Sequence, residues 1–312
     1  MQYFFYTADV FTDRIFGGNP LAVFPDAQGL SDRQMQQVAA EFNYSETVFV
    51  LPPQTLKGTR KLRIFTPKTE LPFAGHPTVG TAFVLASIAQ IPLTGTQTPI
   101  IFEEGVGLVP VTLYAQSHTQ NNTHNNQPIY AELTAAQSPE WRSDVPSSAE
   151  LAALLSLEPE AIGSGNFTPQ AVSCGVPFLF VPLRDRLSLS CCRLNRDRWQ
   201  SLLAQHWASA LYLFCPGIEG ETIDFHARMF APSMGIEEDP ATGSAATAFG
   251  GYLGLRQDRQ GSFEWHIEQG ADMGRTSHLW VKIDRHLDQI QNIRVGGASV
   301  LVSEGSMEIP EE

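Results

Sequence analysis

Apolar and polar positions alternate in short runs along most of the chain. ETVFVLP at 46–52, KLRIFTP at 61–67, PIIFEE at 99–104 and VPVTLY at 109–114 are rich in β-branched and aromatic residues and predict strands. FLFVPL at 178–183, ALYLFC at 210–215, DFHARMF at 224–230 and LWVKI at 279–283 predict strands in the second half. Segments 31–41, 148–155 and 195–206 instead show helical spacing and predict amphipathic surface helices, each opening on a Ser or Asn suited to an N-cap. Two further segments, 77–89 and 240–254, are apolar or small on every face. A helix without a polar face is a buried helix. The expected class is α/β (α+β), with mostly antiparallel, curled, barrel-like sheets each wrapped around a central helix.

The pattern also repeats. Arg63-Ile64-Phe65-Thr66-Pro67 is echoed by Arg228-Met229-Phe230-Ala231-Pro232, and Glu103-Glu104-Gly105 by Glu268-Gln269-Gly270, both 165 positions later. TAFVLA at 81–86 is echoed by TAFGGY at 247–252, 166 positions later, and ETVFV at 46–50 lies 165 positions before LYLFC at 211–215. Matches in one order at nearly one offset predict two pseudo-symmetric halves. The polar, low-complexity stretch QSHTQNNTHNNQ at 116–127 reads as an exposed linker. The expected halves are therefore 1–118 and 128–312, with the last strand able to pack back on the first half.

Composition narrows the partners. The chain has 312 residues and a formal charge of −13, which argues against a broad footprint for nucleic acid or an anionic membrane. No apolar run approaches the ~18 residues of a membrane span. The N-terminal stretch lacks a signal-peptide pattern, so a cytoplasmic location is expected. Cys174, Cys191, Cys192 and Cys215 show no zinc spacing and read as reduced thiols. No P-loop, GxGxxG or HExxH motif asks for a nucleotide or a metal.

The candidate chemistry gathers at the starts of the two buried helices. His76 precedes Pro77, and Asp239 precedes Pro240. Proline favours the first helical position, which puts His76 and Asp239 at capping positions. The small residues beside them, Gly75 and Thr78 in one half and Thr242, Gly243 and Ser244 in the other, leave backbone N–H groups open to an anion such as a carboxylate. The two helix mouths are expected to face one cleft suited to a small anionic substrate. Glu46 opens a strand, and its repeat partner at the 165 offset is Leu211. A carboxylate half-buried against apolar strands is suited to accept and return a proton, because burial disfavours its charged form. Plainer roles stand beside these. Asp239 fits an ordinary N-cap, His76 a hydrogen-bonded structural histidine, Glu46 a strand-end surface residue and Asn19, in Gly17-Gly18-Asn19-Pro20, a turn residue.

Four blocks, DVFTDRIFGGNPLAVF, NYSETVFV, RIFTPKTELPFAGHPTVGTA and RMFAPSMGIEEDPATGSA, resemble the signature blocks of the PhzF family of phenazine biosynthesis-like proteins, in order and across nearly the whole chain. The resemblance implies the diaminopimelate epimerase-like fold, a homodimer, and an isomerase without metal or cofactor. It implies Glu46 as the catalytic acid/base, with His76 and Asp239 beside it, and Asn19, Ser45, Gly75, Gly243 and Ser244 as substrate contacts. The racemases of that fold use two cysteines, which would stand at or beside Gly75 and Thr242, and neither helix mouth contains a Cys. The expected function is therefore movement of a proton within a small cyclic or conjugated carboxylic acid. An epimerase or racemase of the same fold, or a non-catalytic small-molecule-binding protein, remains the alternative.

Overall fold

The computed structural model describes residues 1–115, 128–287 and 289–311. The chain is of mixed α/β class and divides into two compact units: Met1–Ala136 with Val295–Glu312, and Gln137–Arg294. Among the described residues, no helix is long and apolar enough to cross a membrane.

The first unit runs β1 (Gln2–Val10), β2 (Asn19–Phe24), α1 (Asp32–Phe42), β3 (Glu46–Leu51), β4 (Arg60–Phe65), β5 (Glu70–Leu71), α2 (Gly75–Ser87), β6 (Gln97–Glu104), β7 (Gly107–Ala115) and β8 (Pro128–Thr134). The second runs β9 (Glu140–Arg142), α3 (Ser148–Leu155), β10 (Gln170–Ser173), β11 (Pro177–Pro182), α4 (Arg186–Cys191), α5 (Arg196–Leu202), β12 (Ala210–Pro216), β13 (Phe225–Ala231), β14 (Ile236–Asp239), α6 (Gly243–Gly254), β15 (Gly261–Gln269) and β16 (Ser277–His286). Two long strands follow, β17 (Gln289–Gly297) and β18 (Ser299–Glu308).

Strand order in the first unit is β18-β1-β2-β3-β4-β6-β7-β8, with β5 beside β4. In the second it is β9-β10-β11-β12-β13-β15-β16, with β14 beside β13. The parallel pairs fall at matching places, β2–β3 with β11–β12 and β4–β6 with β13–β15. In the last of these, Arg60 faces Phe102 and Phe225 faces Ile267, each pair 165 positions apart in the repeat. The two units are thus copies of one topology.

The division departs from the expected halves at the boundary between them. β8 pairs with β7, Val111 opposite Leu133, and so keeps residues 128–136 in the first unit. The chain re-enters that unit at Val295, and β18 pairs with β1 from Ser299 to Glu308. The expected linker, 116–127, lies outside the described residues.

Each unit closes around its apolar helix. α2 packs against β1, β2, β3, β7, β8 and β18, and its residues Gly75–Ala86 are all buried. Such a helix draws stability from packing rather than from caps. Its N-cap, Ala74, indeed makes no side-chain cap bond. Gly80 is what lets α2 approach the sheet, since a Cβ there would lie 2.5 Å from Val10 Cγ2 and 2.6 Å from Leu21 Cδ2. In the second unit α6 packs against β10, β11 and β16.

The outer helices behave differently. α1 starts with a capping box, in which the Ser31 side chain accepts from Gln34 N and the Gln34 side chain accepts from Ser31 N. It buries Met35, Val38 and Ala39 on Phe24, Phe49 and Phe65. α3 carries the same box on Ser147 and Glu150, so the cap is Ser147 rather than Ser148. α5 is capped by Asn195.

Candidate active site

Three polar side chains of the first unit meet where two strands and a helix begin. β2 and β3 are parallel neighbours, with Leu21 opposite Glu46, so Asn19 and Glu46 open adjacent strands. His76 stands in the first turn of α2. Asn19 is 0%, His76 2% and Glu46 6% exposed. Burial to this degree normally demands partners. Asn19 Nδ2 lies 3.2 Å from His76 Nδ1, and His76 Nε2 lies 3.3 Å from Glu46 Oε2.

This chain of contacts sets the protonation of the histidine. The Asn19 amide nitrogen can only donate, so Nδ1 accepts and the ring hydrogen sits on Nε2, the nitrogen 3.3 Å from Glu46 Oε2. Burial pushes the imidazole down to about 3, so His76 is neutral at physiological pH. The Glu46–His76 contact is therefore the close approach of a neutral ring to a carboxyl oxygen, neither an ion pair nor, in its geometry, a hydrogen bond. Ser45, half-buried, links Glu46 to the left-handed C-cap of α1 at Asn43.

In the second unit the polar groups sit at the start of α6. Asp239, 3% exposed, ends β14, and its Oδ2 accepts from Thr242 Oγ1 at 2.5 Å. Gln269 ties the turn together. Its Nε2 donates to Asp239 O at 2.7 Å and to Thr242 Oγ1 at 3.0 Å, and its Oε1 accepts from Thr242 N at 3.2 Å. Gly243 is the first helical residue and Ser244, half-buried, the second.

The helix starts differ from those expected. α2 begins at Gly75 with Ala74 as N-cap, and α6 begins at Gly243 with Thr242 as N-cap. Neither His76 nor Asp239 is a cap. The prolines that suggested the match are not equivalent either. Arg63 forks onto Glu70 as Arg228 forks onto Glu238, which aligns Glu70-Leu71-Pro72-Phe73-Ala74-Gly75 with Glu238-Asp239-Pro240-Ala241-Thr242-Gly243. A Cβ at Gly105 would strike the Pro72 backbone, as one at Gly270 would strike that of Pro240. Asp239 therefore corresponds to Leu71, and His76 to Ser244.

Glu46 moves as well. Arg63 faces Phe49 where Arg228 faces Leu213, so Glu46 corresponds to Ala210 rather than to Leu211. The asymmetry seen at Glu46 persists, and it extends to all three groups. The first unit alone has the glutamate and the histidine at these positions, and the second alone has the aspartate.

Among the buried acids not singled out from the sequence is one beside the start of α2. Glu104, at the end of β6, is 9% exposed, and its Oε1 lies 2.7 Å from Thr78 Oγ1 in the first turn of α2. The repeat carried the signal, since Glu104 aligns with the buried Gln269.

Comparison with known proteins agrees with this fold and topology. The family model of the phenazine biosynthesis-like protein (PhzC-PhzF) matches residues 8–305. An uncharacterized isomerase of Mesorhizobium japonicum is 37% identical over 303 residues, covering 96% of each chain. The trans-2,3-dihydro-3-hydroxyanthranilate isomerase of Pseudomonas chlororaphis is 32% identical over 303 residues, covering 96% of this chain and 97% of its own. Among solved structures, a PhzF-family phenazine biosynthesis protein of Bacillus anthracis superposes with a TM-score of 0.85 at 24% identity, over 99% of this chain and 100% of that one. This chain belongs to the phenazine biosynthesis-like (PhzC-PhzF) family and is an isomerase of that family.

Proposed function

We propose that the protein moves a proton between two carbons of a small cyclic or conjugated carboxylic acid, without a cofactor, and that Glu46 is the group that carries it. The observation behind this reading is the buried Glu46–His76–Asn19 chain. Glu46 as carboxylate takes a proton from an acidic carbon of the substrate. The C–H electron pair enters the conjugated system, and the same carboxyl returns the proton to a second carbon, shifting the double bonds. Neutral His76 stands with Nε2 3.3 Å from the Glu46 carboxyl and limits where that carboxyl can turn. The positive end of α2 favours the substrate carboxylate beside it.

The relatives' substrate, trans-2,3-dihydro-3-hydroxyanthranilate, is the first compound to test, followed by a panel of unsaturated cyclic carboxylic acids. Each is incubated in D2O and followed by NMR for carbon-bound deuterium. Rearrangement with deuterium incorporation, lost in Glu46→Gln, is the expected result. Exchange with inversion and no shift of double bonds would make the protein an epimerase. Undiminished exchange in Glu46→Gln would remove Glu46 from the reaction.

A further inference from the structure

We propose that Glu104 works as a neutral carboxylic acid, a positioning residue that donates its hydrogen to Thr78 Oγ1 and so fixes the first turn of α2 that carries His76. The Thr78 hydroxyl has one hydrogen and two oxygen neighbours, Ala74 O at 2.8 Å and Glu104 Oε1 at 2.7 Å. A carbonyl can only accept, so the contact with Ala74 takes that hydrogen. Thr78 Oγ1 then turns a lone pair toward Glu104. A carboxylate there would set lone pair against lone pair, whereas a carboxylic acid completes the bond.

The other copy of the fold places a group that cannot ionise at the matching strand position, although its partner is the N-cap residue that matches Ala74 rather than Thr78. Gln269 stands at the position of Glu104, at the end of the equivalent strand. Its amide donates to Thr242 Oγ1, whose own hydrogen goes to Asp239. A buried neutral donor beneath a helix start is common to both units.

The neighbouring glutamate supplies the contrast. Glu103 accepts from Gln54 N at 2.7 Å, Thr55 N at 2.7 Å and Thr55 Oγ1 at 2.5 Å, which hold its carboxyl below the usual range. Glu104 projects to the other face of the strand. There its Oε2 is enclosed, with no hydrogen-bond partner among the described residues. A charged oxygen so placed would be unsolvated. Burial pushes the Glu104 carboxyl up to about 8.

The test uses the full chain without substrate. Infrared difference spectra, wild type minus Glu104→Gln, are recorded across neutral and alkaline pH. The expected result is a protonated-carboxyl C=O band at pH 7, present only in wild type and lost at higher pH. Absence of that band at pH 7 would show an ionised Glu104 and overturn the proposal. The second readout is the pair of His76 ring nitrogens, followed by NMR in protein labelled with nitrogen-15 histidine. His76 does not itself titrate in this range. Its signals should step with the loss of the band in wild type and stay at their neutral-pH positions in Glu104→Gln. In Glu104→Ala they should be displaced throughout, and Thr78→Val serves where that variant does not fold. A merely structural glutamate would lower the melting temperature on truncation and leave the His76 signals unmoved, which would also overturn the proposal. The inference rests on the proton-transfer reading only for the importance of His76. Turnover in Glu46→Gln judges that reading, and the infrared band judges this one.

Discussion

Glu46 Oε2 faces His76 Nε2 across 3.3 Å in a setting where both side chains are more than nine-tenths buried. With Nδ1 engaged by Asn19 and the ring neutral, the histidine does not compete for the proton the glutamate would carry. Replacing Glu46 with Gln keeps shape and hydrogen-bonding capacity and removes only the ability to carry a proton. Turnover should fall by about 10²–10⁴-fold or more, while ligand affinity and melting temperature stay near wild type. Steady-state kinetics, calorimetric binding and thermal melts on the two proteins check all three.

His76 makes a separate prediction for stability. Its pKa falls from 6.5 to about 3 on folding, because burial disfavours the charged ring. Between these values the unfolded chain binds a proton that the folded chain does not. Stability therefore rises with pH through this window, by at most about 1.4 kcal/mol per pH unit, and is lost as the solution is acidified below 6.5. His76→Gln carries no such titration. Urea midpoints at pH 4.5 and 7 should lie closer together in the variant than in wild type.

Much of this arrangement was legible in the chain. The strands announced themselves because β-branched runs such as ETVFVL and ALYLFC have few other uses, and α2 and α6 because no face of either is polar. Glu46 and His76 stood out for the same reason, as polar groups in apolar surroundings. The match of His76-Pro77 with Asp239-Pro240 misled, because proline is tolerated through the first helical turn, where backbone N–H groups lack intrahelical partners anyway. Pro77 is the third helical residue, and Pro240 precedes its helix. Glu104 was hidden for another reason. Glu103 and Glu104 are chemically identical neighbours, and only the strand's two faces separate an acid anchored by loop N–H groups from one enclosed beneath a helix. That the last strand could return to the first half was expected, but its register on β1 depends on contacts across nearly the whole chain, which local patterning does not encode.

Asp239 separates a structural role from a chemical one. Its Oδ2 accepts from Thr242 Oγ1, and an amide oxygen can do the same. Asp239→Asn should change stability by less than about 1 kcal/mol, whereas Asp239→Leu, the residue of the matching position in the first unit, should cost roughly 1–3 kcal/mol by stranding the Thr242 hydroxyl. Turnover in the Asn variant, measured beside its stability, tells the two roles apart, since a loss at unchanged stability would assign the aspartate a chemical one. Wild-type kcat/KM in Asp239→Asn would leave the aspartate a structural group.

Gly80 tests the packing that presents His76. A side chain there would meet Val10 and Leu21 within 2.5–2.6 Å, with a close-packed sheet behind them. Gly80→Val should destabilise the protein by about 1–3 kcal/mol through overpacking, although valine in place of glycine would stiffen an exposed helix. Chemical denaturation gives the stability. A shift of the His76 ring signals in the same variant would show the helix start moving with the helix.

The last prediction concerns Glu104 and runs opposite in sign to that for His76. Its carboxyl rises from the ordinary 4.5 to about 8 on folding, because burial disfavours the charged form. Between those values the folded chain holds a proton that the unfolded chain has released. Stability contributed by this group is therefore intact below 4.5, declines as pH rises, and levels off above 8. Glu104→Gln removes the titration and keeps a neutral donor for Thr78 Oγ1, as Gln269 does for Thr242. The two proteins should be nearly equal in stability at pH 5, and the Gln variant should gain steadily on wild type up to pH 8, by an amount on the order of a few kcal/mol. Urea midpoints for both at pH 5, 7 and 9 decide the matter. If wild type gains on the variant as pH rises, the charged form of Glu104 is the favoured one, and the first turn of α2 is held by a carboxylate after all.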